Sequence, residues 1–204
     1  MANKNYFEPS RMESQFVDSK LHTVMLQDGS GNALEGFDGE LVTLAGFYKS
    51  PVYLSAYTRA GAASSAPVDY NTRIAVLPTV ATAVDVCVID LPEVAIATGI
   101  GTQYRMGYKT IGLTSMKDVP VRARKLVKDD TFRTGRENCS ADLTVGEFAV
   151  IGTGADAGKW VPAATAPVSG CYAEVEWSLT VSQGVDGNVT DDGVLAYFML
   201  VKNN

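Results

Sequence analysis

Histidine and cysteine are scarce in this chain of 204 residues, which contains one histidine and three cysteines. A catalytic triad or a histidine metal site needs an imidazole placed with further partners, and His22 in its strand-like run has no partner motif. Cys87, Cys139 and Cys171 are an odd number at wide spacing, without a C-x-x-C pair. This pattern excludes a disulfide framework and a zinc or redox motif, and it indicates synthesis in a reducing compartment.

Long apolar runs and net positive charge are also absent. No run of eighteen apolar residues occurs, and the start MANKNYFEPSRMESQF has no apolar core of signal-peptide length, so we expect no membrane partner. The net charge of −6 and the pI near 4.8 argue against broad contact with a phosphate backbone, so we expect no nucleic-acid partner. One basic cluster is a candidate docking patch, although a solvated strand face explains it more simply: Arg122, Arg124, Lys125 and Lys128.

Helical periodicity is missing, whereas strand periodicity recurs along the chain. No window of eleven or more residues shows a 3.6-residue period with caps. In CYAEVEWSLTVSQG, alternate residues predict one buried face, formed by Cys171, Ala173, Val175, Trp177, Leu179 and Val181. The loop GVDGNVTDDG then leads into VLAYFMLVK, which predicts a hairpin. We therefore predict a mainly β protein, a short-stranded antiparallel β-sandwich or barrel with an extended N-terminal arm.

Composition shifts suggest three parts of the chain. Residues 1–20 are polar and predict the extended arm, residues 21–115 a β domain, and residues 116–204 a C-terminal β domain. The seams are a small-residue loop around Ala60 to Asp69 and the glycine-rich stretch Gly99 to Gly112. A single domain is the alternative to the last two parts.

The stretch IGTGADAGKW has the glycine content and the Gly-Lys pair of a phosphate-binding loop, but not its spacing. Counting back five residues from Gly158 gives Thr153 in place of the first glycine, and Trp160 stands where a magnesium-binding hydroxyl is needed. Strand-like runs flank the stretch, so we predict a β-hairpin with its tip at Gly152 to Gly158. GIGTQYRMG likewise has Tyr104 at the position of the third glycine of a dinucleotide fingerprint. No cofactor is predicted.

Acidic residues form pairs and turn-like segments but no recognisable site. Asp129/Asp130 and Asp191/Asp192 are adjacent pairs, whose members point to opposite sides of a strand or lie in turns. DGSGN and DGNVTDD place oxygen ligands at alternate positions but lack the distal glutamate of a calcium loop, so we interpret them as plain turns rather than weak calcium sites. We predict a non-enzymatic protein without catalytic residues or a metal site.

Three features together resemble the auxiliary head proteins of tailed bacteriophages, which are the decoration or cement proteins of the capsid. They are the arm MANKNYFEPSRMESQFV, the hairpin LTVGEFAVIGTGADAGKWVPA and the terminal strand pair from Cys171 to Lys202. The resemblance covers about the last third of the chain and transfers no functional residue by position. It implies a structural virion protein, made in the host cytoplasm, that binds the outer surface of the shell and stabilises it. The implied partners are the major capsid protein and further copies of this chain, with a trimer as one candidate.

The arm contains the residues that we predict to contact the capsid. Apolar anchors in an otherwise polar segment allow an arm to cover a partner surface, and a basic residue can pair with an acid of the shell. The predicted contact residues are Tyr6, Phe7, Arg11, Met12 and Phe16. Deleting residues 1–17 is expected to abolish shell binding and to leave the body folded.

Three other functions remain as alternatives. A receptor- or glycan-binding module of a head fibre or tail needs exposed aromatic residues, and the best stretch is GFYKSPVYLSAYT, with Phe47, Tyr48, Tyr53 and Tyr57. A hydrolase built on scattered acids has no motif in its favour. A shell-forming subunit is disfavoured because the chain is short and lacks a long helix.

Overall fold

The computed structural model describes residues 7–49, 68–91, 115, 117, 119–181 and 194–203. Strands dominate these residues and form a six-stranded sheet beside a closed five-stranded barrel, which confirms the mainly β prediction. In chain order the strands are β1 (Phe7–Arg11), β2 (Leu21–Leu26), β3 (Leu41–Lys49), β4 (Val68–Val76), β5 (Val86–Ile89), β6 (Val121–Lys125), β7 (Thr131–Gly135), β8 (Phe148–Ile151), β9 (Trp160–Ala163), β10 (Tyr172–Val181) and β11 (Val194–Asn203).

The barrel has the strand order β2-β4-β3-β5-β6. Strand β4 inserts between β2 and β3, and it pairs with β2 in parallel, from Thr23 opposite Thr72 to Leu26 opposite Ala75. The other pairs in the barrel are antiparallel. The predicted antiparallel β-sandwich or barrel is therefore present, with one parallel pair that the sequence pattern did not indicate. A parallel pair needs a crossover connection, and here strand β3 is part of it.

Strand β5 is the element that joins the two halves of the core. Cys87 and Ile89 point into the barrel, whereas Val86 and Val88 pack against the six-stranded sheet, and all four side chains have no exposed surface. A strand that is buried on both faces loses the polar–apolar alternation of a half-buried strand. The run VCVI is accordingly apolar at every position.

The six-stranded sheet has the order β1-β7-β11-β10-β8-β9 and is antiparallel throughout. Its inner face packs on the barrel through large side chains that include Phe132, Trp160 and Tyr197. Each edge strand contains a proline, Pro9 in β1 and Pro162 in β9. Proline has no N–H to donate to a further strand, so both edges are protected against edge-to-edge pairing.

Residues 7–20, which we predicted to be part of an extended arm, are built into the folded body. Strand β1 pairs with β7, with Phe7 opposite Thr134. The Phe7 N–H donates to Asp38 Oδ2 at 2.8 Å, and the Glu13 N–H donates to Asp130 Oδ1 at 2.7 Å. These carboxylates lie 31 and 117 residues further along the chain, so the segment is fixed by tertiary contacts that local sequence cannot reveal.

The strands are also divided differently from the predicted parts of the chain. Strand β1 belongs to the same sheet as the C-terminal strands, whereas β6, beyond the predicted boundary at residue 115, completes the barrel. The two sheets share one hydrophobic cluster, in which Leu41 and Val88 of the barrel meet Met199 of the sheet. The loop around Ala60 to Asp69 and the stretch Gly99 to Gly112 fall almost wholly outside the described residues.

The terminal hairpin is present, but its predicted buried face is only partly correct. Strands β10 and β11 pair antiparallel, and Cys171, Ala173 and Val175 point inward as expected. The register then shifts between Val175 and Trp177. This bulge turns Trp177 to the outer face, where it is 42% exposed. A bulge inserts one residue and reverses the alternation after it, and the period-two pattern does not indicate where this happens.

Candidate functional site

The buried acids of the described residues have structural partners. Asp90 accepts from Arg124 Nε at 2.6 Å and pairs with Arg122 Nη2 at 2.6 Å. Asp38 accepts from the Phe7 N–H and from the Leu91 N–H at 2.8 and 2.9 Å. Removing either carboxylate would leave buried donors without an acceptor, so both aspartates have a structural role.

The basic cluster that we considered as a docking patch is largely engaged in ion pairs. Arg124 is buried and shares Asp90 with Arg122, and Lys125 pairs with Asp85. Two arginines share one carboxylate and Lys128, just beyond β6, is exposed, so part of the positive charge of the cluster stays uncompensated. The engaged side chains favour the simpler interpretation of a solvated strand face.

The environments of the histidine and the cysteines favour the neutral forms of these side chains, and for the cysteines the neutral form is the unreactive one. Burial lowers the pKa of His22, and the nearby Arg73 and Lys125 lower it further. All three cysteines are free and buried. Burial raises the pKa of Cys87 and of Cys139 to about 12, and it raises the pKa of Cys171 as well. Protonated, inaccessible thiols are poor nucleophiles and poor metal ligands.

Of the four segments with a nucleotide-like or calcium-like pattern, the two within the described residues are turns, and GIGTQYRMG and DGNVTDD lie outside the described residues. Strands β8 and β9 form the predicted hairpin, with Ile151 opposite Trp160, and Gly158 has a φ of 86° near its tip. In DGSGN, Asp28 accepts from the Ser30 N–H, the Asn32 N–H and the Asn32 amide, each at 2.8 Å. Its oxygens close the turn, and the described residues contain no cluster of His, Cys, Asp and Glu that could hold a metal.

Of the predicted capsid-contact residues that the structure describes, two are buried in the core and two are exposed. Phe7 and Met12 have no exposed surface, and the ring of Phe7 packs 5.5 Å from that of Phe132. Arg11 is exposed, and Phe16 is 79% exposed. In the sequence, Phe7, Met12 and Phe16 are equally apolar residues of a polar segment. In the structure, Phe7 and Met12 belong to this chain's own core, where they cannot contact a shell. Tyr6 is outside the described residues.

Phe16 lies at a tight turn between two 3-10 helices, Glu13–Gln15 and Asp18–Lys20. The N–H groups of Phe16 and Val17 both donate to the Glu13 carbonyl at 2.9 Å. Val17 and Leu21 are 37% and 36% exposed. We call Phe16, Val17 and Leu21 the Phe16 surface. Its apolar side chains extend from a turn whose backbone is held in place by hydrogen bonds within the chain.

A second exposed feature crosses the outer face of the six-stranded sheet. Four side chains stand opposite one another on β1, β7, β11 and β10, and we call them the aromatic row: Glu8, Arg133, Phe198 and Trp177. The rings of Trp177 and Phe198 stack with centroids 5.3 Å apart at 17°. Arg133 Cζ lies 6.0 Å from the centroid of Trp177, and Arg133 Nη1 lies 3.1 Å from Glu8 Oε2.

Further aromatic and paired charged groups lie on the same face. The rings of Phe148 and Tyr172 meet edge to face with centroids 5.9 Å apart, and Lys202 Nζ lies 2.7 Å from Glu174 Oε2. Aromatic side chains surrounded by ion pairs are typical of protein contact surfaces. The sequence pattern does not reveal this surface, because regular alternation along β10 places Trp177 inside.

The stretch that favoured glycan binding is only partly described. Phe47 is 40% exposed, but Arg73 Cζ lies 4.8 Å from its ring centroid, and Arg73 Nη2 donates to the Ala45 carbonyl at 2.9 Å. One face of this ring is therefore already occupied by a guanidinium group. Tyr53 and Tyr57 lie in the part of the chain that the structure does not describe.

One cleft of about 500 Å³ lies between the β2 turn, the end of β4 and the tip of the β8–β9 hairpin. Its lining is mainly apolar and includes Leu34, Leu77, Pro78 and Ala157. Asp28 also lines it, but the carboxylate is engaged in its own turn. The cleft therefore offers shape without a set of convergent polar groups for a specific small ligand.

No family model matches the chain, and neither a curated protein sequence nor a solved structure matches it. Among the described residues, no helix has the length and apolar character needed to cross a membrane. Functional inference therefore depends on the surfaces of the chain itself, and among the described residues the Phe16 surface and the aromatic row combine exposed aromatic side chains with regular structure.

Proposed function

We propose that this chain is a structural virion protein that binds the outer surface of a phage capsid and stabilises the shell, without enzymatic activity. The observation that supports the proposal is the Phe16 surface, where a large aromatic side chain is 79% exposed on an ordered segment. Exposing such a side chain to water has a cost that binding removes, and buried aromatic residues dominate the energetics of protein contacts.

The segment that carries Phe16 is ordered before any partner binds. Phe7 and Met12 are buried on one side of the turn, and Asp130 holds the Glu13 N–H. A flexible arm loses conformational entropy when it binds, which reduces its affinity. A prearranged surface avoids most of this cost, so it needs less contact area for the same affinity.

Charge near the surface supports the same role. Arg11 is exposed at the end of β1, four residues before the Glu13–Gln15 helix closes. In an acidic chain of net charge −6, an exposed arginine beside an apolar contact can pair with a carboxylate of the shell. Such a pair at the edge of a contact contributes mainly to orientation and to the association rate.

Co-sedimentation of the purified chain with a panel of empty, expanded phage shells tests the proposal. We expect saturable binding to at least one shell, and we expect Phe16→Asp to weaken it by at least about 30-fold, the factor of a binding hot spot. Val168→Asp is the matched control, because Val168 is fully exposed away from this segment. Wild-type chain that binds no shell, or a Phe16→Asp variant that binds as tightly as wild type, contradicts the proposal.

Deleting residues 1–17 is unsuitable for this test. The deletion removes strand β1 and the buried side chains of Phe7 and Met12, so it damages the core together with the contact surface. Loss of large buried side chains costs about 2 to 5 kcal/mol each. A point substitution at Phe16, which removes exposed surface only, separates binding from folding.

The glycan-binding alternative gives a different result in a parallel assay. A receptor-binding module would retain specific binding on a glycan array after Phe16→Asp and would lose it after Phe47→Ala. The guanidinium group of Arg73 over Phe47 disfavours sugar stacking on that ring face. Glycan binding with no affinity for shells would replace the capsid proposal.

A further inference from the structure

We propose that the outer face of the six-stranded sheet is a self-association surface, through which two copies of this chain pack face to face around a two-fold axis. The central contact is the aromatic row of Glu8, Arg133, Phe198 and Trp177. This proposal concerns a different surface from the one proposed to bind the shell.

The apolar part of the row is exposed in a single chain. Trp177 is 42% exposed and stacks on Phe198, which is half-buried. The bulge in β10 is what places Trp177 on this face. Bulges re-aim individual side chains, and tryptophan is the residue type most enriched at the centre of protein contacts.

Two ion pairs neutralise most of the charge on the face, and the exposed Glu176, which precedes Trp177, lies near enough to Lys202 to interact with it. Arg133 pairs with Glu8, and Lys202 pairs with Glu174. These pairs add no net charge to a surface of a chain whose overall charge is −6. Two copies that approach through this face therefore meet less repulsion than the net charge of the whole chain would cause.

The order of the row makes it complementary to itself. A two-fold axis that crosses the centre of the row parallel to the strands reverses the row of the second copy, so the Glu8–Arg133 half of one copy faces the Phe198–Trp177 half of the other. An arginine guanidinium then lies against an aromatic side chain across the contact, as it already does within the chain, where Arg133 is near Trp177. Each copy supplies both partners, as an isologous interface requires.

The size and the edges of the sheet also suit a face-to-face contact. Six strands, of which β10 and β11 have ten residues each, span a projected area of about 600 Å² at standard strand spacing. A standard stable interface buries about 800 Å² per copy, so the face of the sheet supplies most of the area that a dimer needs. Pro9 and Pro162 at the edges disfavour growth by strand addition, so face packing is the route that remains open.

Sedimentation-velocity ultracentrifugation of the full chain, from about 1 to 100 µM, measures the association. We expect a species of twice the 21.7 kDa chain mass. We expect Trp177→Asp to raise the dimer dissociation constant by at least about 30-fold. Val168→Asp, at a fully exposed valine outside the sheet, is expected to leave the dissociation constant unchanged.

Each other result overturns the proposal. A wild-type chain that is monomeric at 100 µM has no self-association surface, and a dimer that survives Trp177→Asp uses a different one. A trimer excludes the two-fold face-to-face contact. Circular dichroism and the melting temperature of Trp177→Asp show whether the variant is folded, and Arg133→Glu provides a second variant on the same row if it is not.

Discussion

Replacing Glu40 by glutamine is expected to stabilise the protein, and to do so only above mildly acidic pH. Glu40 immediately precedes β3, where its Oε2 accepts from the Phe37 N–H at 3.2 Å. The hairpin glycine Gly158 is adjacent, since its carbonyl accepts from the Leu41 N–H at 2.8 Å. Burial raises the pKa of the Glu40 carboxyl from 4.5 to about 7, because this site stabilises the charged form less well than water does.

The sign and the size of the effect follow from proton linkage. The folded chain holds the proton on Glu40 more tightly than the unfolded chain does, so wild-type stability falls as the pH rises from about 4.5 to about 7. At about 1.4 kcal/mol per pKa unit, the shift corresponds to about 3 kcal/mol at pH 8, and partial solvent access reduces this to about 2 kcal/mol. Glutamine is neutral at every pH and keeps an acceptor for the Phe37 N–H, so Glu40→Gln removes the penalty.

Urea unfolding followed by tryptophan fluorescence, at pH 4.5 and at pH 8, measures the effect. The free energy of unfolding of Glu40→Gln is expected to exceed that of wild type by about 2 kcal/mol at pH 8 and to match it near pH 4.5. Glu35→Gln, at an exposed acid five residues earlier, controls for the loss of one charge. Equal differences at both pH values, or destabilisation at pH 8, refute the assignment of a buried, destabilising carboxylate.

Two further predictions concern groups that sequence analysis considered for chemistry. Asp90→Asn removes a carboxylate that pairs with Arg122 and Arg124, and it is expected to lower the free energy of unfolding in urea by about 3 to 5 kcal/mol. The control Asp142→Asn, at an exposed ion pair with Arg136, is expected to lower it by less than about 1 kcal/mol. Similar losses of stability in the two variants would refute the structural role of Asp90. The three buried cysteines are expected to react with a thiol reagent at pH 8 only as the chain unfolds, and all three in denaturant. Fast modification of any thiol in the native protein contradicts the burial that raises the pKa of Cys87 to about 12.

Period-two alternation was enough to identify the fold class and several of the strands. It correctly assigned the inward residues Ala173 and Val175 and the β8–β9 hairpin, because these features depend on local pattern and turn glycines. The parallel pairing of β2 with β4 depends on which strands become neighbours after the chain has folded. The orientation of Trp177 depends on a bulge that leaves no periodic signal.

For the two candidate surfaces as well, local sequence indicated some features, whereas others depend on contacts between distant parts of the chain. The sequence identified Phe16 as an apolar residue in a polar segment, but it gave Phe7 and Met12 the same status. Asp38 and Asp130, which fix the segment and decide which of these side chains are buried, are distant in sequence. The aromatic row combines side chains from four strands between Glu8 and Phe198, so no local window contains it.

The N-terminal segment connects the two proposed surfaces within one short stretch of chain. Glu8 belongs to the aromatic row, and Phe16 lies eight residues later. Phe7 and Met12 of the same stretch are buried in the core. A substitution at either anchor would therefore disturb self-association and shell binding together, because it moves the backbone that carries both. Phe16→Asp and Trp177→Asp each change exposed surface on one side only. If dimeric chains bind a repeating shell, two linked Phe16 surfaces engage it with a higher effective concentration than one, so self-association strengthens shell binding without any new contact.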